Sequence, residues 1–441
     1  MTTFDPFERT ELRPYWQATM PALPDRRGRP LPERTDVVVI GGGYTGVSCA
    51  LTLARAGARV TLLEAETLGW GASTRNGGIV HPGYKWGPSE LRARYGDELG
   101  RLLWQETLDG WTFLRRLIAD ESIDAGLAET GHVELAATAS HVHAIEEERD
   151  SLAAMGTSAH VLPRERIREE LGSDAFASAL VIDGSGSVDP GRLFTGLVAA
   201  AERAGADLHE GVRARLVSDA PGGGRIVHTV RGQIVADEVV VATNGYTDGV
   251  VPPLRRRIIP IGSYIIATEP LGGELVHELS PRGRPFFDKW NFLHYWQVRD
   301  GRMIFGGRAS FRPTPFDRAA RILHRGLLEI HPQLGGRRID YAWGGKVGFT
   351  WDRMPHVGRL PGGVAYAMGY CGTGVVMAPY LGHRLAEWLG GAPAPALSRL
   401  PFPLVPIPYE GRPWFLPFGG EWYRLKDRLA ARSVEHDRHR A

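Results

Sequence analysis

Three glycines carry the first chemistry in this chain. Gly41, Gly43 and Gly46 follow the apolar run Asp36-Val-Val-Val-Ile40 and complete a Gly-x-Gly-x-x-Gly turn. Residues 47–56 read as a helix, Gly57 stops it, and residues 59–64 read as a second strand ending on Glu64. Strand, tight turn, helix, strand and acid come in the order a dinucleotide site requires. Gly41 permits the sharp turn, Gly43 lets backbone approach a pyrophosphate, and Gly46 lets the helix lie close to the sheet. The helix N-terminus offers open N–H groups and partial positive charge to phosphate. Glu64 stands about 20 residues on, where a carboxylate takes ribose hydroxyls.

Three further segments favour FAD over NAD. The loop Gly71-Ala-Ser-Thr-Arg-Asn-Gly-Gly78 follows the second strand directly. Its small residues can wrap a pyrophosphate and run along an isoalloxazine edge, and Arg75 can neutralise phosphate or an internal acid. The strand Val239-Val-Val-Ala-Thr-Asn-Gly245 brings Thr243 and Gly245 near the nucleotide. Gly369-Tyr-Cys-Gly-Thr-Gly374 opens a late helix, whose N-terminus can face the negative pyrimidine edge of a reduced flavin.

Behind these motifs the chain predicts an α/β architecture of two interleaved domains. Its 441 residues exceed one ordinary core. Residues 35–88, 180–256 and 341–398 are assigned to a nucleotide domain, and 89–179 and 257–340 to a substrate domain. Residues 1–34 read as an extended arm, and 399–441 as an aromatic, proline-rich tail packing on the body. A net charge of +2 argues against a nucleic-acid partner. No apolar run reaches the ~20 residues of a membrane span. Cys49 and Cys371 are the two cysteines, which fits a cytoplasmic protein without disulfides or a metal cluster.

Gly41–Gly46, Glu64, the 71–78 loop, Asp352-Arg-Met-Pro-His-Val-Gly358 and the 369–374 turn together resemble the D-amino-acid-oxidase-type FAD-dependent oxidoreductases. Within them the chain is most similar to the branch of γ-glutamylputrescine oxidase, with sarcosine and glycine oxidases as relatives. The resemblance implies a glutathione-reductase-type Rossmann FAD domain and a substrate domain built on a large, mostly antiparallel sheet. It also implies oxidation of an amine C–N bond to an imine by hydride transfer to flavin N5, with electrons passing to O2 or another acceptor. Carried over, Tyr44 and Thr45 meet the pyrophosphate, and Glu64 and Ala65 the ribose. Gly71, Ser73, Thr74, Asn76, Gly77, Gly78 and Ile79 line the phosphate–flavin path, Val212 holds adenine through its backbone, and Tyr370, Gly372, Thr373 and Gly374 edge the pyrimidine.

Departures from that pattern shape the expectations. Residues 344–350 lack the cysteine of covalently flavinylated relatives, which implies dissociable FAD. Val375 and Val376 fill the place of a carboxylate-binding lysine, and His81 that of a carboxylate-binding arginine. A buried carboxylate without a cation is costly, so an amine with no carboxylate on its reacting carbon is favoured. Lys346 is the candidate for the lysine that speeds oxygen attack in relatives.

The amine must react as the neutral base. Deprotonating an alkylamine of pKa ~10.4 costs roughly 4–5 kcal/mol at pH 7, and an aromatic pocket lowers that cost. Tyr264, His294, Tyr295, Trp296 and Trp343 are candidates for the pocket, and His81 or His294 for the proton acceptor. The competing readings are an amino-acid oxidase or dehydrogenase, a FAD monooxygenase and a non-catalytic FAD module. The monooxygenase reading lacks a second nucleotide fingerprint and a Gly-Asp pair before the last helix.

Overall fold

The computed structural model describes residues 4–308, 311 and 314–438, with side chains through 431. Two eight-stranded sheets organise it. In the first, Arg34–Ile40 pairs in parallel with Val60–Leu63 on one side and Gly232–Val241 on the other. Asp207–His209 and Ala365–Met368 extend the parallel set outward. His356–Arg359 closes one edge antiparallel, and a hairpin of Ala214–Asp219 and Arg225–Thr229 leaves the long strand. Every residue of Val60–Leu63 is buried, as parallel strands covered on both faces must be. The helices Tyr44–Arg55 and Gly374–Leu389 cover this sheet in close contact, and Ser48 Oγ donates to the Pro379 carbonyl at 2.7 Å.

The second sheet runs Ile339–Phe349, Ile259–Thr268, Arg302–Gly307, His294–Arg299, Phe286–Asp288, His132–Ala136, Ser178–Ile182, Ala159–Pro163. It is mixed: Phe286–Asp288 lies parallel to His132–Ala136, and the other pairs are antiparallel. Side chains alternate across a strand, so each cross-strand row belongs to one face. Val133, Phe286, Trp296, Phe305, Ile266 and Ala342 form one such row. All six are buried in the core that also holds Ala319, Leu323 and Leu327 of the helix Phe316–Ile330. The neighbouring row is Glu134, Phe287, Tyr295, Gly306, Ile265 and Trp343. It faces the nucleotide domain.

Ile339–Phe349 differs from the expected boundary at 341. It pairs along its length with Ile259–Thr268 and forms an edge of the second sheet. It also lies against the nucleotide domain, where a Cβ on Gly348 would come 2.2 Å from Asn244 Oδ1. The chain termini also carry more structure than expected. The arm contains the helix Tyr15–Thr19 with Trp16 fully buried. The tail forms the helix Leu416–Arg438, whose Asp427 carboxylate accepts from the backbone N–H groups of Asn291 and Phe292 at 3.1 and 3.0 Å.

The loop after the second strand is seated on the front of the second sheet by four successive carbonyls. Trp343 Nε1 donates to the Arg75 carbonyl, Trp16 Nε1 to Asn76, Gln297 Nε2 to Gly77 and the Val188 N–H to Gly78, at 3.1, 2.8, 2.5 and 2.7 Å. The Tyr295 ring lies directly under this loop: a Cβ on Gly77 would meet it at 2.6 Å. Overpacking a fixed contact of this kind costs about 1–3 kcal/mol. Gly77→Ala is therefore expected to lower unfolding free energy by about that amount in a denaturant titration. Wild-type stability in that variant would show the loop to be free of the sheet.

Candidate active site

The glycine turn has the geometry the sequence requires. Gly41 has a φ of 113°, and a Cβ there would meet the Ala242 carbonyl oxygen at 2.8 Å. A Cβ on Gly46 would lie 1.9 Å from the Gly41 carbonyl oxygen, so the helix reaches the strand only with glycine there. Gly43 gives the helix Tyr44–Arg55 no side-chain cap, which leaves first-turn N–H groups other than that of Tyr44 open. The late helix Gly374–Leu389 likewise begins at Thr373 without a side-chain cap. Two long helices thus present unsatisfied positive ends beside each other. Thr45 Oγ1 and Tyr370 OH share a 2.6 Å hydrogen bond between them.

Glu64 closes the nucleotide end. Its carboxylate accepts from the N–H of Gly42 at 2.8 Å and of Glu66 at 2.9 Å, and burial raises its pKa. Ala65 follows it on the same turn. The Val212 N–H donates to the Glu64 carbonyl at 2.8 Å, which fixes the backbone of residue 212 beside the strand end. Ser73 Oγ accepts from the Tyr44 N–H at 2.9 Å, directly at the start of the helix. These groups fit the adenosine and pyrophosphate of FAD: open N–H groups, a Cβ-free turn, and a carboxylate at the strand end.

Other expected cofactor residues serve the frame around that cradle. The Tyr44 hydroxyl donates to the Pro190 carbonyl at 2.9 Å. Thr74 Oγ1 donates to Gly69 at 2.6 Å. Asn76 folds back on its own turn, accepting from the Gly78 N–H at 2.8 Å. Ile79 pairs with Ser187 in a two-residue strand, and Gly71 lies under the Tyr246 ring. Arg75 donates to the Trp70 and Gly344 carbonyls at 2.6 and 3.0 Å, and burial lowers its pKa. Through these two carbonyls it braces the loop against the edge strand. Thr243 Oγ1 bonds Thr247 Oγ1 at 2.8 Å, and Gly245 lets the backbone of 346–348 pass close. Gly372, with a φ of 111°, lies at the tip of the late turn.

The substrate side departs from the sequence reading by one residue of strand phase. Tyr264, His294 and Trp296 all point to the back of the second sheet. Trp296 is fully buried between Phe286 and Phe305. Tyr264 meets Phe316 of the covering helix, and His294 lies against Gly326 of that helix. His294 Nδ1 donates to Asp288 Oδ2 at 2.8 Å; burial opposes its charge, but Asp288 outweighs burial and raises the pKa. Lys346 is exposed on the edge strand, with its ammonium 5.5 Å from the Tyr246 ring centroid. Trp343 does face the front, in the expected direction.

The front face brings together the expected Tyr295 and His81 with Phe287, which the sequence did not single out. Phe287 and Tyr295 form an aromatic wall, and Tyr295 OH bonds Ser263 Oγ at 3.0 Å. His81 stands 5.6 Å from Phe287 and 5.3 Å from His132, centroid to centroid. Burial first, then His132, push its pKa down to about 4. Its Nδ1 lies 3.0 Å from the Pro82 carbonyl, which can only accept. The hydrogen is therefore on Nδ1, and Nε2 is an acceptor. Lys289 bridges Glu134 and Glu148 on the same face. Burial resists the Glu134 charge, but Lys289 holds its pKa well below the usual range.

Lys85 was not read from the sequence. Its ammonium approaches the position a Cβ would take on Gly372, at 3.8 Å, so it faces the late turn. Its side chain is solvent-accessible, yet desolvation by the surrounding walls, then Arg308, push its pKa down to about 8. A usable signal was present: only Lys85, Lys289, Lys346 and Lys426 are lysines among 52 cationic residues. Lysine, unlike arginine, can be tuned in pKa by its surroundings, and two of the four, Lys85 and Lys289, lie within electrostatic range of each other. Cys371 lies within electrostatic range of Lys85, with its thiol pushed up to about 11 by burial; that of Cys49 is pushed to about 12. Among the described residues no cluster of three or more His, Cys, Asp or Glu could hold a metal, and no helix is long and apolar enough to cross a membrane.

The fold joins a Rossmann-like region to a domain built on a mixed sheet. The FAD dependent oxidoreductase family, DAO, matches residues 36–388, and the chain belongs to it. Gamma-glutamylputrescine oxidoreductase of Escherichia coli is 33% identical over 401 residues, covering 89% of this chain and 93% of that protein. Probable oxidoreductase OrdL of Rhizobium meliloti is 33% identical, covering 94% and 97%. Glycine oxidase from Geobacillus kaustophilus superposes with a TM-score of 0.71 at 23% identity, over 85% of this chain and all of that one. L-proline dehydrogenase from P. horikoshii superposes with a TM-score of 0.66 at 22% identity, over 82% and 94%.

Two outcomes follow for the cofactor. Glu64→Ala is expected to weaken FAD affinity by tenfold or more, the scale of a charged hydrogen bond, in a flavin-fluorescence titration of apoprotein. An unchanged affinity would remove Glu64 from the ribose site. Acid precipitation is expected to leave the yellow colour in the supernatant, because neither buried thiol is a ready nucleophile. Colour retained in the pellet would show a covalent bond.

Proposed function

We propose that the protein oxidises a C–N bond of a small-molecule amine to the imine, with FAD held non-covalently. The reading rests above all on one observation: a neutral histidine, His81, lies against Phe287, the cross-strand partner of Tyr295, with the Lys85 ammonium in electrostatic range. Lys85 faces the turn at the start of the late helix. The name of the Escherichia coli relative, a γ-glutamylputrescine oxidoreductase, supports the same class of substrate.

Bound FAD supplies the hydride acceptor and passes the electrons on to O2 or another acceptor. The chain's residues select and place the amine. The aromatic wall and the desolvated recess disfavour an ammonium, so the neutral amine is the form that binds productively. His81 Nε2 accepts an N–H hydrogen bond from it and orients the nitrogen lone pair. With a pKa near 4, His81 does not store a proton at neutral pH. The proton therefore leaves the amine before chemistry, and no protein base of matched pKa is needed. Lys85 sets positive charge beside the 371–372 turn, where it can favour anionic charge during reoxidation. This is the part that Lys346, on the outer edge, does not fill.

Anaerobic mixing tests the reading: amines are expected to bleach the yellow protein, and NADPH alone is not. Bleaching by NADPH alone would support a monooxygenase instead. The pH dependence carries a sign. kcat/KM is expected to rise with pH as substrate ammonium deprotonates. With a fluorinated amine of lower pKa, the limb is expected to move down by the same interval. A limb that stays in place would assign the ionisation to a protein base.

A further inference from the structure

The C-terminal helix Leu416–Arg438 has two opposite faces, and the body of the protein uses one of them. Gly420, Tyr423, Arg424 and Asp427 follow helical spacing on the inner face. A Cβ on Gly420 would come 3.0 Å from Phe311, and the Tyr423 ring stacks on Phe311 at 5.8 Å. The Arg424 guanidinium lies 5.1 Å from the Phe292 ring centroid, and Asp427 holds the 291–292 turn. At about 100° per residue, the opposite face carries Phe418, Trp422, Leu425 and Leu429. These four are between 48% and 73% exposed. Their spacing of four, three and four residues keeps them in one stripe, about 17 Å long at the rise of a helix.

Large apolar side chains exposed singly need no explanation, but a continuous stripe marks an interaction surface. The charges beside it set the sign of the partner. Lys426 and Arg428 flank the stripe on its two sides, and the Lys426 ammonium lies 5.3 Å from the Trp422 ring centroid. Glu421, on the Arg428 side, is taken by Arg424 at 2.9 Å. Just before the helix, Trp414 is 57% exposed and lines a groove of about 600 Å³ with Arg255, Arg256 and Arg412; Glu410 is the acid among the lining residues. Among the described residues no carboxylate lies within ion-pairing distance of Lys426, Arg428, Arg255, Arg256 or Arg412. The whole chain carries a net charge of only +2, so this excess of cations is local.

We propose that this face docks on an anionic lipid surface, with the C-terminal helix lying in the plane of the interface. Phe418, Trp422, Leu425 and Leu429 enter the boundary between headgroups and acyl chains. Lys426 and Arg428 extend along the margins of the stripe to lipid phosphates. The arginines of the neighbouring groove receive further headgroup phosphates. Aromatic and leucine side chains bordered by Lys and Arg are the composition of an interfacial helix. A second copy of the chain is a poorer fit, because it would set the same unpaired cations against these. Apolar insertion and charge attraction are each weak alone, and lasting attachment takes both.

The test uses full-length holoenzyme and vesicles of phosphatidylcholine, alone or mixed with phosphatidylglycerol. Flotation is expected to show affinity about tenfold or more higher for the mixed vesicles, falling as salt is added. Trp422→Ser and Leu425→Gln lie on the exposed face, and each is expected to lower that affinity about fivefold or more. Flavin absorbance is expected to stay unchanged in both, which shows that the variants fold. Lys426→Glu combined with Arg428→Glu is expected to remove most of the preference for the anionic lipid. Equal affinity of the wild type for the two vesicle types, or binding unmoved by both Trp422→Ser and Leu425→Gln, would overturn the proposal. A dimer in sedimentation velocity without lipid, dissociated by Trp422→Ser, would give this face to a second copy and overturn it as well.

Discussion

The structure depends on how one loop sits on one sheet. Residues 75–78 give up four consecutive carbonyls to donors from the N-terminal arm, from two strands of the second sheet and from residue 188. A loop normally satisfies such groups with water. Here the protein satisfies them, and so the loop has a fixed position. That position sets how far the uncapped helix N-terminus at Gly43 stands from the aromatic wall at Tyr295. Gly77 is the consequence: with the loop held down, no side chain fits between its backbone and the Tyr295 ring.

From that fixed spacing, the two halves of the site acquire different character. The nucleotide half is made of backbone: helix ends, glycine contacts and one carboxylate at Glu64. The substrate half is made of side chains, and its electrostatics come from desolvation. His81 is kept neutral, Lys85 is shifted toward neutrality, and Glu134 is kept charged only because Lys289 stands beside it. Desolvation on this face penalises charge that has no partner beside it.

The legibility of these halves differs for a physical reason. Glycines at fixed spacing, with an acid at a strand end, are local constraints, since each is required by backbone within a few residues of it. The helices Pro190–Arg203 and Gly374–Leu389, and the strand Arg302–Gly307, were readable from caps, turns and period. The strand at 294–299 was also readable, but its phase was not. His294, Trp296 and Tyr264 have the residue types of a site, yet they fill the back core. A one-residue change of phase exchanges every side chain between faces. The helix Leu416–Arg438 was missed because its start is rich in proline and glycine, and its stability comes from packing at Tyr423 and Asp427 instead of from local propensity.

By itself, then, the sequence determined the glycine turn, the acid at the following strand end and the α/β class, because short-range backbone geometry demands particular residues there. Tertiary structure alone decided which strand face meets the cofactor domain, and that Lys85 and not Lys346 approaches the late turn. Those choices follow from sheet register and long-range packing, whose energies are summed over contacts that no local pattern encodes.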